Sequence, residues 1–538
     1  MSLNEIFFIA GGKDRPARQG TVEEMGFKAY NLGRMAAIGL NVPSAFVLGT
    51  AYCSRYAAGK DLADRELRTL LQAQIDLLQT ATGRVFGDAR NPLLVSVRSG
   101  APVSMPGMLE TVLNVGLNEQ TLHGLLRQTG NPRLAWDSYR RLVQMFAEVV
   151  HGVDVGVDAL AAVLDETLKV EGIDSARELD FLAMRKMTHR LLDLFRESTG
   201  DDFPQDPLTQ LEQAVLAVFR SWNSSKAAEY RKLNHLESVV GTAVTVQQMV
   251  FGNSGSSSGS GVGFTRDPAT GEKEPYLDFL VNAQGEDVVG GRSPMDAGDD
   301  LVARFPETWA SMSTLQNILE REFADAQDFE FTVENNTLYL LQTRAAKRTP
   351  LAAARIAVEM AEEGIIDVAE AARRLAALDL DSIGNDELTP GAADAPLASA
   401  IGASAGAVSG RIALGVEQAK IYAAAGDAVV LVRDDIVTDD VAGIFAAAGI
   451  LTHSGGRTSH AAVIARQMNK VCLVGCAALS VDGPGRTCTI GTQKFYEGDV
   501  VTLDANHGLI YAGAIPSRMI RPERLLDKAR TLLAQARR

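Results

Sequence analysis

The chain is poor in cysteine, with four in 538 residues: Cys53, Cys472, Cys476 and Cys488. No two stand at C-x-x-C spacing, which argues against both a disulfide framework and a structural zinc site. An excess of positive charge is also lacking. Lys and Arg number 52 against 67 Asp and Glu, for a net charge of -15. That excludes a broad nucleic-acid-gripping surface but leaves room for a local basic pocket. Long apolar runs are missing too. Ile6-Phe7-Phe8-Ile9-Ala10 is too short for a signal-peptide core and far too short to span a bilayer. What is present, 46% hydrophobic and 22% charged residues, suits a globular chain with several cores. The expectation is a multidomain cytoplasmic protein of about three or four domains, with neither nucleic acid nor membrane as partner.

Along the chain the pattern changes repeatedly. Up to about residue 120, short apolar runs alternate with glycine-rich turns. Leu93-Leu94-Val95-Ser96-Val97 reads as a buried strand, and Arg98 opens the loop behind it. From about 120 to 235 apolar positions recur at helical spacing, as at Leu208, Leu211, Val215, Val218 and Phe219. Residues 242–250 read as a strand, and the glycine- and serine-rich stretch 252–263 as a loop within a folded domain. Residues 329–333 and 338–344 bracket a hairpin turn at Asn335-Asn336. Alanine-rich helices occupy 352–378. The irregular stretch 384–399, with Pro390 and Pro396, reads as the best boundary and as a hinge. Residues 400–515 alternate strands (428–432, 471–474, 500–503) with helices, an α/β pattern, and 521–538 reads as an exposed basic helix.

The sharpest chemical signal is Gly455-Gly456-Arg457-Thr458-Ser459-His460-Ala461-Ala462. The glycines release the backbone, and Ala461, Ile464, Ala465 and Met468 then trace one helix face, which puts His460 on the first turn. Backbone N–H groups and the helix dipole there stabilise an anion. A histidine so placed suits a nucleophile whose phosphorylated form is held by the helix end; a plain capping role fits it as well. In the hairpin, Asp328 and Glu330 share one face, as do Gln342 and Arg344. Glu330 and Gln342 offer hard oxygens for magnesium, and Arg344 offers a phosphate-gripping cation. For Glu330 to face Gln342 the loop must have three residues, Asn335-Asn336-Thr337, since a two-residue loop would put them on opposite faces. Arg98, Lys28 in Gly26-Phe27-Lys28-Ala29, and the backbone of Gly259-Ser260-Gly261 are further candidates for phosphate contacts.

Taken together these segments resemble the pyruvate phosphate dikinase family. The likeness runs from about residue 20 to 515 in the family's order. It includes Val95-Ser96-Val97-Arg98-Ser99-Gly100-Ala101, Ser104-Met105-Pro106-Gly107-Met108, Asp137-Ser138-Tyr139-Arg140-Arg141, Phe219-Arg220-Ser221-Trp222 and Gly241-Thr242-Ala243-Val244. It continues through Gly263-Phe264-Thr265-Arg266-Asp267-Pro268, Asn282-Ala283-Gln284-Gly285-Glu286-Asp287, Leu341-Gln342-Thr343-Arg344 and Thr458-Ser459-His460. The fold this implies is a multidomain α/β chain. An ATP-grasp nucleotide-binding domain would occupy 1–345, with a helical insertion at about 120–235. A helical linker and hinge at 346–399, a swivelling β/β/α phosphohistidine domain at 400–515 and a helical tail at 516–538 would follow.

By the same resemblance His460 is the phosphoryl carrier, and Glu330 and Gln342 are magnesium ligands. Lys28, Arg98 and Arg344 contact phosphate, and Gln247, Ser260 and Asp328 line the nucleotide pocket. The implied partners are ATP and inorganic phosphate. ATP is cleaved to AMP, and the phosphoryl group goes to pyruvate or another acceptor. The family's phosphoenolpyruvate/pyruvate barrel is not seen in this sequence, so that acceptor is expected on a separate barrel or a full-length dikinase; a homo-oligomer stays open. The family's Gly-Gly-Lys-Gly turn is here Gly26-Phe27-Lys28-Ala29. Two other readings accompany this one: an ATP-binding regulatory protein without turnover, and a small-molecule phosphotransferase.

Overall fold

The computed structural model describes residues 5–10, 19–57, 64–103, 105, 109–152, 157–173, 176, 178–274, 276–289, 299–389, 395–436 and 440–537. The Ser104-Met105-Pro106-Gly107-Met108 motif, apart from Met105, and Pro390 of the expected hinge lie outside them. The chain divides into two units. One comprises Met1–Gly255 with Leu338–Gln342, the other Ser256–Thr337 with Thr343–Arg538.

In the first unit an antiparallel sheet runs in the order Ile6–Ile9, Ala45–Leu48, Ala243–Gln248, Val95–Gly100, Thr111–Val115. Alternation along Val95–Gly100 sends Val95 and Val97 into the core and leaves Ser96 and Arg98 on the other face. The core side is filled by Leu211, Val215, Val218 and Phe219 of the helix Pro207–Ser221, at the spacing the sequence displays. The stretch read as helical carries the helices Glu119–Thr129, Pro132–Met145, Phe181–Thr199 and Pro207–Ser221. Arg98 does not open a loop: the strand continues through Gly100, held by pairing of Arg98 with Thr245 and of Gly100 with Ala243.

The second unit begins on a four-stranded sheet, ordered Thr337–Ala345, Gln327–Glu334, Gly259–Phe264, Tyr276–Val281, in which Thr337 and Thr343–Ala345 are the residues of the first strand that belong to this unit. Gly259, Ser260 and Gly261 therefore lie in a buried strand, contrary to the loop expected from composition. The reason is aromatic. A Cβ on Gly259, Gly261 or Gly263 would stand 2.3, 2.4 or 2.6 Å from the rings of Phe279, Phe331 and Phe329. Glycine is required so that these rings can lie across the strand. The hairpin turn also differs from expectation. It has two residues, Asn335 and Asn336, with φ of 49° and 62°, the left-handed pair that suits a two-residue turn. At the hairpin base, however, Ala346 N–H donates to Ala326 O at 2.9 Å and Arg344 bonds Asp328. Both belong to the register of the three-residue reading, so the pairing shifts by one residue between turn and base.

The rest of this unit is built on an eight-stranded sheet. Its centre, Ala407–Ala413, Val429–Arg433, Gly449–Thr452 and Val471–Val474, is parallel. On one face Ala461, Ala462 and Ala465 pack with Val429, Leu431, Ile450 and Cys472. On the other, Leu479, Cys488, Ile490 and Phe495 of a three-stranded sheet pack with Val430, Leu451 and Leu503. This is a helix, sheet, sheet stack. The stretch 384–399 is not wholly irregular, because Asn385–Leu388 pairs with Ser517–Ile520. Nor is the C-terminal helix merely exposed. Glu523–Gln535 buries Leu526 and Ala529 against Ala354, Ala357 and Leu375.

Candidate functional site

In the first unit, four residues picked from distant parts of the sequence line one small cavity: Lys28, Arg98, Gln247 and Gln342, with Ala29, Leu32, Ser99, Thr245 and Leu341. Strand pairing explains half of this. Arg98 opposes Thr245 and Ser96 opposes Gln247, so Arg98 and Gln247 project from one face of neighbouring strands. Gln247 is held by its Nε2–H donating to Pro43 O at 3.3 Å, while the buried Thr245 Oγ1 has no hydrogen-bond partner. Lys28 enters at the start of the helix Phe27–Ala37, after Gly26 with φ of 74°. A Cβ at Gly26 would sit 1.9 Å from Gly100 O, and Phe27 N–H donates to Ala101 O at 2.9 Å. The glycine thus lets the helix start close on the strand end, beside Arg98. Ala29, where the family has glycine, is buried.

In the second unit Ser260, Asp328 and Glu330 share one face of the four-stranded sheet. Glu330 pairs with Val262, Asp328 with Phe264 and Thr332 with Ser260, each directly across neighbouring strands. Ser260 Oγ lies 3.1 Å from Thr332 Oγ1. Arg344 Nε donates to Asp328 Oδ2 at 2.6 Å, and Asp328 Oδ1 is buried without a partner. Burial pushes the Asp328 carboxyl up to about 6, although Arg344 draws it the other way. Burial lowers and then Asp328 and Glu330 raise the Arg344 guanidinium, which ends above its ordinary value. An orphaned carboxylate oxygen beside a second carboxylate on the same face is a hard-oxygen donor set. Among the described residues no group of three or more His, Cys, Asp and Glu could hold a metal by itself. Hard carboxylate oxygens such as those of Asp328 and Glu330 are donors of the kind magnesium takes.

His460 is exposed and begins the helix His460–Gln467, between the parallel strands Gly449–Thr452 and Val471–Val474. Gly455 has a φ of 103°, and Ser459 caps the helix by accepting from Ala462 N–H at 3.4 Å. His460 is therefore the first residue of the helix, on the turn where its spacing puts it. Arg466, on the same helix, is fully buried and donates from Nη1 to Ala403 O and Arg457 O, both at 2.9 Å. All four cysteines are buried, and burial pushes the Cys472 and Cys488 thiols up to about 12 and about 11, which keeps both protonated. Sequence reasoning missed Asp278, 1% exposed, which accepts from both N–H and Oγ1–H of Thr458. Its signal was a lone carboxylate in the apolar run Tyr276-Leu277-Asp278-Phe279-Leu280-Val281.

Among the described residues no helix is long and apolar enough to cross a membrane. Residues 66–298 match the family model "Pyruvate phosphate dikinase, AMP/ATP-binding domain", and residues 425–508 match "PEP-utilising enzyme, mobile domain". The pyruvate, phosphate dikinase of Rhizobium meliloti is 42% identical over 520 residues, covering 94% of this chain and 58% of the relative. Enzymes of the same name from Clostridium symbiosum and Entamoeba histolytica are 40% and 41% identical, covering 92% and 91% of the chain. The chain thus spans a little more than half the length of these relatives, 58%, 57% and 56%. Two family matches in the expected order, and relatives aligned over nearly all of it, make this chain a member of the pyruvate phosphate dikinase family.

Proposed function

We propose that this chain carries out the ATP half of a dikinase reaction, with His460 as the phosphoryl carrier. An imidazole nitrogen attacks the β-phosphorus of ATP, and the bond from that phosphorus to the α–β bridging oxygen breaks. AMP leaves with that oxygen, and His460 carries a pyrophosphoryl group. An oxygen of inorganic phosphate then attacks the terminal phosphorus of that group, pyrophosphate leaves, and phosphohistidine remains. Its phosphoryl group passes to pyruvate or another acceptor. Such transfers depend on positioning and on neutralising spread negative charge. Lys28, Arg98 and Arg344 supply that positive charge, and Gln247, Ser260 and Asp328 line the nucleotide site. Glu330 and Gln342 would hold magnesium in this reading, and the ion would supply neutralising charge to the phosphates.

The observation that carries the reading is His460 itself, exposed at a helix start whose N–H groups suit a phosphoryl anion. The convergence of Lys28, Arg98, Gln247 and Gln342 on one cavity supports it. Mixing the chain with ATP and magnesium should release AMP once per chain, and pyrophosphate only when inorganic phosphate is added. ADP as the nucleotide product would refute the scheme.

A further inference from the structure

The face of the four-stranded sheet that carries Glu330 and Asp328 extends across two further strands. Glu330, Val262 and Asp278 oppose one another in a row, as do Asp328, Phe264 and Tyr276. Since directly paired residues point to the same side, Asp278 and Tyr276 belong to the same face as the two carboxylates. Two strand spacings, about 10 Å, separate the backbones of Asp278 and Glu330.

The segment around His460 sits on the Asp278 end of that face through three contacts. Thr458 N–H and Oγ1–H both donate to Asp278 Oδ2 at 3.1 Å. The Arg457 guanidinium lies 4.8 Å from the centroid of the Tyr276 ring, and that of Arg466 lies 5.3 Å from the Phe264 ring. The contacts differ in kind. The two arginine contacts are broad and tolerate sliding. The Asp278 contact fixes a backbone amide two residues before His460 by two hydrogen bonds that one buried carboxyl oxygen accepts. A buried carboxylate must be hydrogen-bonded, so the strand gains as much from Thr458 as the loop gains from Asp278.

We propose that Asp278 is a positioning residue for the phosphoryl transfer: it holds Thr458, and through it His460, over the sheet face that carries Glu330 and Asp328. The inference rests on the reading of His460 as the carrier. Asp278 acts on the imidazole through Thr458 and sets how often the imidazole is in place. Its loss therefore slows the chemical step and leaves nucleotide binding alone.

The test is single-turnover labelling of the whole chain with ATP radiolabelled on the β-phosphoryl group. Asp278→Ala should lower the labelling rate at saturating ATP about tenfold, with an unchanged ATP concentration for half-maximal rate. Asp278→Asn keeps a carbonyl acceptor for Thr458 and should recover most of the loss. Thr458→Val should slow labelling by less, and adding Asp278→Ala to it should cost less than Asp278→Ala costs alone. Labelling of Asp278→Ala at the parent rate, a loss that Asp278→Asn does not recover, or a raised requirement for ATP would overturn the proposal. Should Asp278→Ala not fold, Thr458→Val decides by itself: slower labelling supports the contact, and an unchanged rate removes it. Failure of the underlying reading looks different, since then a His460→Asn chain is labelled like the parent.

Discussion

Arg344 Nε donates to Asp328 Oδ2 across 2.6 Å, so the guanidinium read as a phosphate contact is already engaged by a buried carboxylate whose Oδ1 has no partner. Asp328 thereby orients the cation while leaving the rest of its fork for another acceptor.

Burial pushes Asp328 up to about 6 against the pull of Arg344. Between about pH 4 and about pH 6 the folded chain then holds a proton on this carboxyl that the unfolded chain has released. Its stabilising contribution is present below the ordinary carboxylate range and is lost as pH rises through about 6. The unfolding free energy of the parent, relative to Asp328→Asn, should fall by on the order of 2 kcal/mol from about pH 4 to about pH 7. Urea titrations over a pH series measure this, and a difference that is flat in pH contradicts it.

Arg98 shares its cavity with Lys28, Gln247 and Gln342 and projects from the middle of a paired strand. Arg98→Ala should weaken ATP binding about tenfold or more, the scale of one hydrogen bond to a charged group. Calorimetric titration with ATP is the check, alongside an unfolding midpoint near that of the parent. Equal affinity would take Arg98 out of the nucleotide site.

Gly261 sits where an added Cβ would meet the Phe331 ring at 2.4 Å and Asp278 O at 2.8 Å. Gly261→Ala should cost about 1–3 kcal/mol of stability through overpacking. In a Phe331→Leu background the same change should cost less, because the obstructing ring is gone. Equal penalties in both backgrounds, read by denaturant unfolding, would mean that the ring is not the reason for the glycine.

These positions also show how far the residues could be read in advance. The helix at His460 was legible because a glycine pair followed by small apolar residues at helical spacing has few other readings. The residues proposed for the nucleotide were named through the family's motif order; of them Lys28, Arg98, Gln247 and Gln342 line one cavity, where Arg98 and Gln247 are brought together by the pairing of Val95–Gly100 with Ala243–Gln248. The strand Gly259–Phe264 was not legible, since glycine and serine look like a loop until Phe279, Phe329 and Phe331 are known to cross it. The hairpin loop was misjudged by one residue. No single register describes it, because the pairing shifts between the Asn335-Asn336 turn and the Arg344–Asp328 base. Asp278 went unread because its partner, Thr458, lies 180 positions away.

The central claim is that one imidazole carries the phosphoryl group. The most direct measurement is to incubate the chain with ATP, magnesium and phosphate, digest it under alkaline conditions and locate the modification by tandem mass spectrometry. The account predicts one phosphoryl group on His460, AMP formed in step with it, and no modification of a His460→Asn chain. A phosphoryl group on any other residue, or AMP release by His460→Asn at the parent rate, would contradict it.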